Sequence, residues 1–211
     1  MKIQILVDNP NSWITKYLKN LVSIIKQKQN CHVKLINSHE DVESGDVLYL
    51  LSCEKKFNKL NLNKYNLVVH ESDLPEGKGW SPLTWQVIEG KRNIPITLFE
   101  ANSLFDSGNI YEKINIKTSG HELIDELRFL QVEATTKLIL NFIEKYPNIK
   151  GEKQKGKESF YSKRTKNSSE LNILESIKDQ FNLLRVCDNE RYPAFFIIDN
   201  VKYLIKIYKD D

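Results

Sequence analysis

Two residues in the middle of this chain are of the types that move protons. His70 closes an apolar run of strand length, Tyr65–Val69, and Asp106 sits in a loop after the next apolar run. A strand that ends on an ionisable residue carries it to a sheet edge, where open α/β sheets keep their sites. An imidazole beside a carboxylate can act as a tuned base, the simplest arrangement for proton transfer. Read alone, His70 also fits a strand-end histidine bonded to backbone, and Asp106 an Asx-turn cap before Ser107 and Gly108. Between them Glu71–Pro82 is a loop rich in Gly, Pro and Ser. Its glycines suit sharp turns and the close approach of backbone to a ligand.

The elements that must position these groups follow from periodicity. Lys2–Val7 reads as a strand and Trp13–Gln29 as a helix with Ser12 as N-cap, its Ile14, Leu18, Leu21, Val22 and Ile25 at helical spacing. Val33–Ile36 and Val47–Leu51 are further strands, and a β-α-β opening implies a parallel sheet with right-handed crossovers. No GxGxxG follows the first strand, so a dinucleotide site has no support. Pro82–Glu89 is a short helix ended by Gly90, Ile94–Phe99 a strand, and Asn109–Ile116 alternates like another. Ser119 and Glu122 are spaced as a capping box for a long helix reaching about Tyr146, with Leu123, Leu127, Leu130, Ala134 and Leu138 on one stripe. The charged stretch 151–158 reads as a mobile linker. Beyond it, Glu170–Arg185 reads as a helix. Phe195–Ile198 and Tyr203–Tyr208 read as a hairpin turning at Asp199-Asn200.

The expected architecture is α/β: a Rossmann-like, mostly parallel sheet flanked by helices, with a small α+β C-terminal appendage. Residues 1–150 form the main domain and 159–211 a subdomain too small to stand alone. A 40% hydrophobic composition supports a real core, and a net charge of +3 does not by itself suggest nucleic acid. Three scattered cysteines without CxxC spacing suggest reduced thiols and a cytoplasmic setting. No apolar run approaches a membrane span, Ile3–Val7 is too short for a signal sequence, and no metal site is expected.

At its centre the chain resembles the folate-dependent formyltransferases. Their landmarks are an Asn-x-His ending a strand, then Ser-Leu-Leu-Pro-x-x-Arg-Gly-x-x-Pro, then an Asp-x-Gly. Here they read His70, Ser72-Asp73-Leu74-Pro75-Glu76-Gly77-Lys78-Gly79-Trp80-Ser81-Pro82 and Asp106-Ser107-Gly108. The position of the family's Asn is Val68. The appendage resembles that of nucleotide-sugar N-formyltransferases at Arg164-Thr165, Asn182-Leu183-Leu184-Arg185-Val186 and Arg191-Tyr192-Pro193-Ala194-Phe195.

The resemblance implies transfer of a formyl group from N10-formyltetrahydrofolate to the amine of a nucleotide-linked deoxyamino sugar. His70 would be the base and Asp106 would hold its imidazole. The tetrahedral intermediate needs a donor to its oxyanion, and losing one costs about 3–4 kcal/mol. With Val68 in place of the family Asn, Asn102 becomes the expected donor, with Ser72 the other near candidate. Ser52, Cys53, Glu100, Ala101, Ser72 and Gly79 would hold the folate. Lys78, Trp80, Arg185 and Tyr192 would meet the substrate, by charge or by stacking. The partners implied are a small-molecule nucleotide sugar and, in a homodimer, a second copy, with neither nucleic acid nor membrane. Two alternatives stay open: a non-catalytic folate- or sugar-binding homologue, and transfer to another amine such as glycinamide ribonucleotide.

Overall fold

A computed structural model describes residues 1–28 and 30–210, and in it the apolar runs assemble one six-stranded sheet. In chain order the strands are β1 (Lys2–Leu6), β2 (His32–Ile36), β3 (Gly45–Leu50), β4 (Asn63–His70), the two-residue β5 (Lys78–Gly79), β6 (Asn93–Glu100) and β7 (Ile110–Lys117). The sheet order is β2-β1-β3-β4-β6-β7. The first four of these strands are parallel, as the β-α-β opening requires, whereas β6 and β7 are antiparallel to their neighbours.

Strand alternation divides the core. Ile3, Ile5, Val47, Tyr49 and Leu67 face α1 (Thr15–Lys26) and α3 (Ile124–Lys145), joined by Leu138, Ile139 and Phe142. On the other face Leu6, Ile36, Leu48 and Leu50 pack with Val42 and Phe57 of the connecting loops. Burying a side chain of this size is worth about 1.5–3 kcal/mol, so the two clusters fix the strand ends that carry the site.

Helix boundaries depart from the sequence expectation for local reasons. Helix α1 begins at Thr15. Ser12 offers its backbone carbonyl to the Thr15 amide and hydroxyl, so its side chain is not the cap. Gln29, in the expected helix, lies outside the described residues. The Ser119–Glu122 box forms, with Ser119 N donating to Glu122 Oε1 at 2.7 Å, but it caps the loop before α3. The helix itself starts at Ile124, where Glu126 takes the Leu123 amide at 2.8 Å.

The stretch 170–185 is helical only in α4 (Phe181–Arg185). Asn172 Oδ1 accepts the Leu174 amide, Ser176 Oγ accepts the Asp179 amide, and the Gln180 side chain bonds the Asn172 backbone. These side-chain bonds compete with the helix ladder and win. β8 (Phe160–Tyr161) pairs with β5, tying the appendage to the loop after His70. The hairpin β9 (Ala194–Ile198) and β10 (Val201–Ile205) turns at Asp199 and Asn200, both at positive φ. That is a two-residue turn of the type hairpins favour. The second strand starts earlier than Tyr203 because the turn fixes the register. The segment expected as a linker runs bonded along the main domain. Glu152 exchanges backbone bonds with Ile110, and Gln154 Nε2 donates to Asp106 O at 2.9 Å and Gly108 O at 3.0 Å.

Candidate active site

His70 is the last residue of β4 and pairs with Thr97 of β6. It is buried, 7% exposed, with Phe99 edge-on to its ring. Its Nε2 lies 2.9 Å from the Gly77 carbonyl. A carbonyl can only accept, so Nε2 carries the hydrogen and Nδ1 is the ring nitrogen left with a lone pair.

Asp106 reaches the same place by a longer route. Strand β6 ends at Glu100 beside Leu67, three residues short of His70 in the β4 register. The following loop therefore folds back along β4. Asp106, held at φ 49°, brings Oδ2 to 3.9 Å from His70 Nε2 and accepts the Gly79 amide at 2.9 Å. The expected carboxylate–imidazole pairing is thus a close approach, and the hydrogen bonds of the two groups go to the glycine loop. Gly79 needs to be glycine: its φ is +97°, and a Cβ would stand 2.5 Å from Tyr161 O.

These groups open on a cavity of about 770 Å³, within the usual range for small-molecule sites. Its walls differ. On the sheet side Leu50, Ser52, Cys53, Phe57, Val68, Phe99 and Ala101 make a mainly apolar slot, edged by Glu54, Lys55 and Lys56 and by Asn102, Leu104 and Phe105. Asn102 Oδ1 accepts the Leu104 amide at 2.8 Å, which orients the side-chain amide and leaves its NH₂ without a bond among the described residues. Cys53 donates to Leu6 O at 3.3 Å, and burial pushes its thiol up to about 12, so it is inert as a nucleophile. On the other side Trp80, Arg128, Lys163, Arg164, Arg191 and Tyr192 make a cationic and aromatic wall. Lys163 Nζ sits 4.3 Å from the Trp80 ring centre. Arg128 pairs with Asp188 at 2.8 Å, and Arg164 Nη1 is buried with no hydrogen-bond partner among the described residues.

His70, Asp106, Asn102, Ser52, Cys53, Ala101, Gly79, Trp80 and Tyr192 all line the cavity. Four expected residues do not. Lys78 is 1% exposed, paired with Glu158 and bonded to Ser107, and so fastens the loop. Arg185, also 1% exposed, donates to Asn182 Oδ1 and Glu122 O and holds α4 to the approach of α3. Glu100 is spent on the Asn66 amide and the Tyr111 hydroxyl, and burial raises its carboxyl. Ser72 is buried, its hydroxyl without a partner among the described residues. Sequence reasoning passed over Glu71, Arg128 and Gln131, all of which line the cavity. Glu71 is the neighbour of His70. The other two lie three residues apart on α3, and that spacing puts them on one helix face.

Fold and site are similar to those of formyltransferases, although no protein-family model matches the chain. In sequence it is 28% identical over 147 residues to methionyl-tRNA formyltransferase of Malacoplasma penetrans, covering 65% of this chain and 44% of that protein. The chain thus spans less than half the length of that curated relative. In structure it resembles a methionyl-tRNA formyltransferase from Clostridium thermocellum at TM-score 0.77 and 20% identity, over 96% of this chain and 90% of that one. A 4-N formyltransferase from Francisella tularensis matches at TM-score 0.76 and 16% identity, over all of this chain and 98% of the other. HypX from Aquifex aeolicus in complex with tetrahydrofolic acid matches at TM-score 0.75 and 16% identity, over 97% of this chain and 37% of that one. These solved structures share the fold of this chain. Among the described residues no helix is long and apolar enough to cross a membrane.

Proposed function

We propose that this protein moves a formyl group from N10-formyltetrahydrofolate to the amine of a nucleotide-linked deoxyamino sugar. The observation that carries the reading is the position of His70, backed by Asp106, between two chemically unlike walls of one cavity. The apolar slot suits a flat pterin, and the Arg and aromatic wall suits a nucleoside diphosphate through charge and stacking.

Formyl transfer is acyl transfer between nitrogens: the attacking amine sheds a proton and the folate nitrogen gains one. The bound folate supplies an activated formyl carbon. His70 Nδ1 accepts the proton, while Gly77 O and Asp106 hold the ring from its other nitrogen. The Asn102 NH₂ serves as the oxyanion donor that Val68 cannot be. The site residues proposed are therefore His70, Asp106 and Asn102 for chemistry, Ser52, Cys53, Ala101 and Gly79 for the folate, and Trp80, Arg164 and Tyr192 for the nucleotide sugar.

Mixing the protein, N10-formyltetrahydrofolate and UDP- or dTDP-linked amino sugars tests the reading. A product heavier by one formyl group is expected. Val68 favours one rival, a binder without turnover, and tight binding of both ligands with no heavier product would establish that rival instead.

A further inference from the structure

Among the described residues four carboxylates line the cavity. Asp106 accepts the Gly79 amide, Asp188 is paired with Arg128, and Glu54, which accepts Asn9 Nδ2 at 2.6 Å, is exposed to solvent. Glu71 differs in being partly withdrawn from solvent with no cation paired to it. Among the described residues its carboxylate takes one hydrogen bond from another side chain, the Gln131 amide, and no lysine or arginine pairs with it. It is half-buried and next in sequence to His70, and both line the cavity.

Glu71 is also held still. Buried Gln86 donates through Nε2 to the Glu71 carbonyl and to Pro82 O, and Gln131 fixes the carboxylate from α3. Burial pushes the Glu71 carboxyl above the usual carboxylate range, against the pull of His70 and Gln131. A desolvated carboxylate fixed in place with no cation beside it is costly unless a ligand brings the charge. A phosphate would be repelled there and a hydroxyl would bring no charge. An ammonium, the protonated form of an amine, offers both charge and donors.

Resting on the function proposed above, we infer that Glu71 is the specificity residue that receives the substrate's amine and sets it against His70. The nucleotide is held by the cationic wall. The reacting nitrogen is recognised by Glu71, so sugars with a hydroxyl at that position are refused.

The test uses the full chain with tetrahydrofolate bound, and matched UDP-sugars and dTDP-sugars carrying either an amine or a hydroxyl at the reacting carbon. Wild type should prefer the amine of at least one pair by about tenfold or more. Glu71→Gln, which keeps the shape and the bond to Gln131, should bring the pair within about twofold, with tetrahydrofolate affinity unchanged as the check on folding. Glu71→Asp, which keeps the charge, should retain a preference, and it carries the test if the glutamine variant does not fold. An amine preference that survives Glu71→Gln overturns the inference. A preference present in wild type and lost in the variant, with no formyl transfer to either amine, supports the inference and defeats the proposed reaction alone.

Discussion

The two walls of the cavity are made in different ways. The sheet wall stands on strands whose backbones are locked in ladders on both sides: Leu50 pairs with Val68, Val68 with Phe99, and His70 with Thr97. The appendage wall, with Arg164, Arg191 and Tyr192, has one short helix, a hairpin and a four-residue apolar cluster, Leu171, Leu184, Cys187 and Ala194. It is held by particular bonds: the β5–β8 pairing, Trp85 Nε1 to Ser162 O at 2.9 Å, and Arg185 on Glu122. Chemistry that recurs unchanged is best carried by the rigid wall. Recognition that varies between substrates is best carried by the wall built from loops. Substitutions on the two sides should therefore break different things.

The largest effect belongs to the sheet wall. His70→Ala should lower kcat by about 10²–10⁴ while tetrahydrofolate binding survives. Steady-state kinetics with calorimetry decide it, and retention of more than about a tenth of wild-type kcat would remove His70 from the chemistry.

The seam between the walls comes next. Burial acts to raise the Glu122 carboxyl, but the Ser119 and Gly120 amides and the Ser119 hydroxyl outweigh it, taking it from the usual 4.5 to about 2. A group depressed on folding stabilises the fold above its unfolded value, and that contribution is lost as pH falls through the folded one. Glu122→Gln should therefore cost about 1–2 kcal/mol at pH 7, discounted for solvent screening. The gap from wild type should close between the usual 4.5 and about 2. Urea unfolding at several pH values reads this directly, and a pH-independent gap would show that the loop is held by something else.

The smallest effect sharpens the role of Val68. It sits half-buried in an apolar slot, so Val68→Asn should bring little gain in kcat and some loss of stability, since an unpaired polar group costs about 1–3 kcal/mol. A clear rise in kcat, with Asn102→Ala unchanged, would mean that the oxyanion donor is missing and not replaced.

The sheet wall was legible in the sequence because burial there is deep. The apolar runs of β3 and β4 announced the strands, and His70 announced where the central one stops. The turn at Asp199-Asn200 was legible for a chemical reason, since asparagine and aspartate tolerate positive φ. What stayed hidden depends on tertiary partners. Nothing local says that Lys78 and Arg185 are buried pairs, that Glu100 is spent on Asn66 and Tyr111, or that Asn172, Ser176 and Gln180 unmake a helix. Glu71 was in plain view beside His70. The contact that singles it out, from Gln131 on α3, is tertiary and has no local signal.

In the proposed reading one cavity holds two different ligands on opposite sides of His70. Calorimetry on Arg164→Met tests this most directly, because Arg164 Nη1 is a buried donor on the appendage wall without a hydrogen-bond partner among the described residues. Affinity for UDP or dTDP, whichever wild type binds, should fall about tenfold, while tetrahydrofolate stays within about twofold. Equal loss of both ligands, or unchanged nucleotide binding, would contradict it.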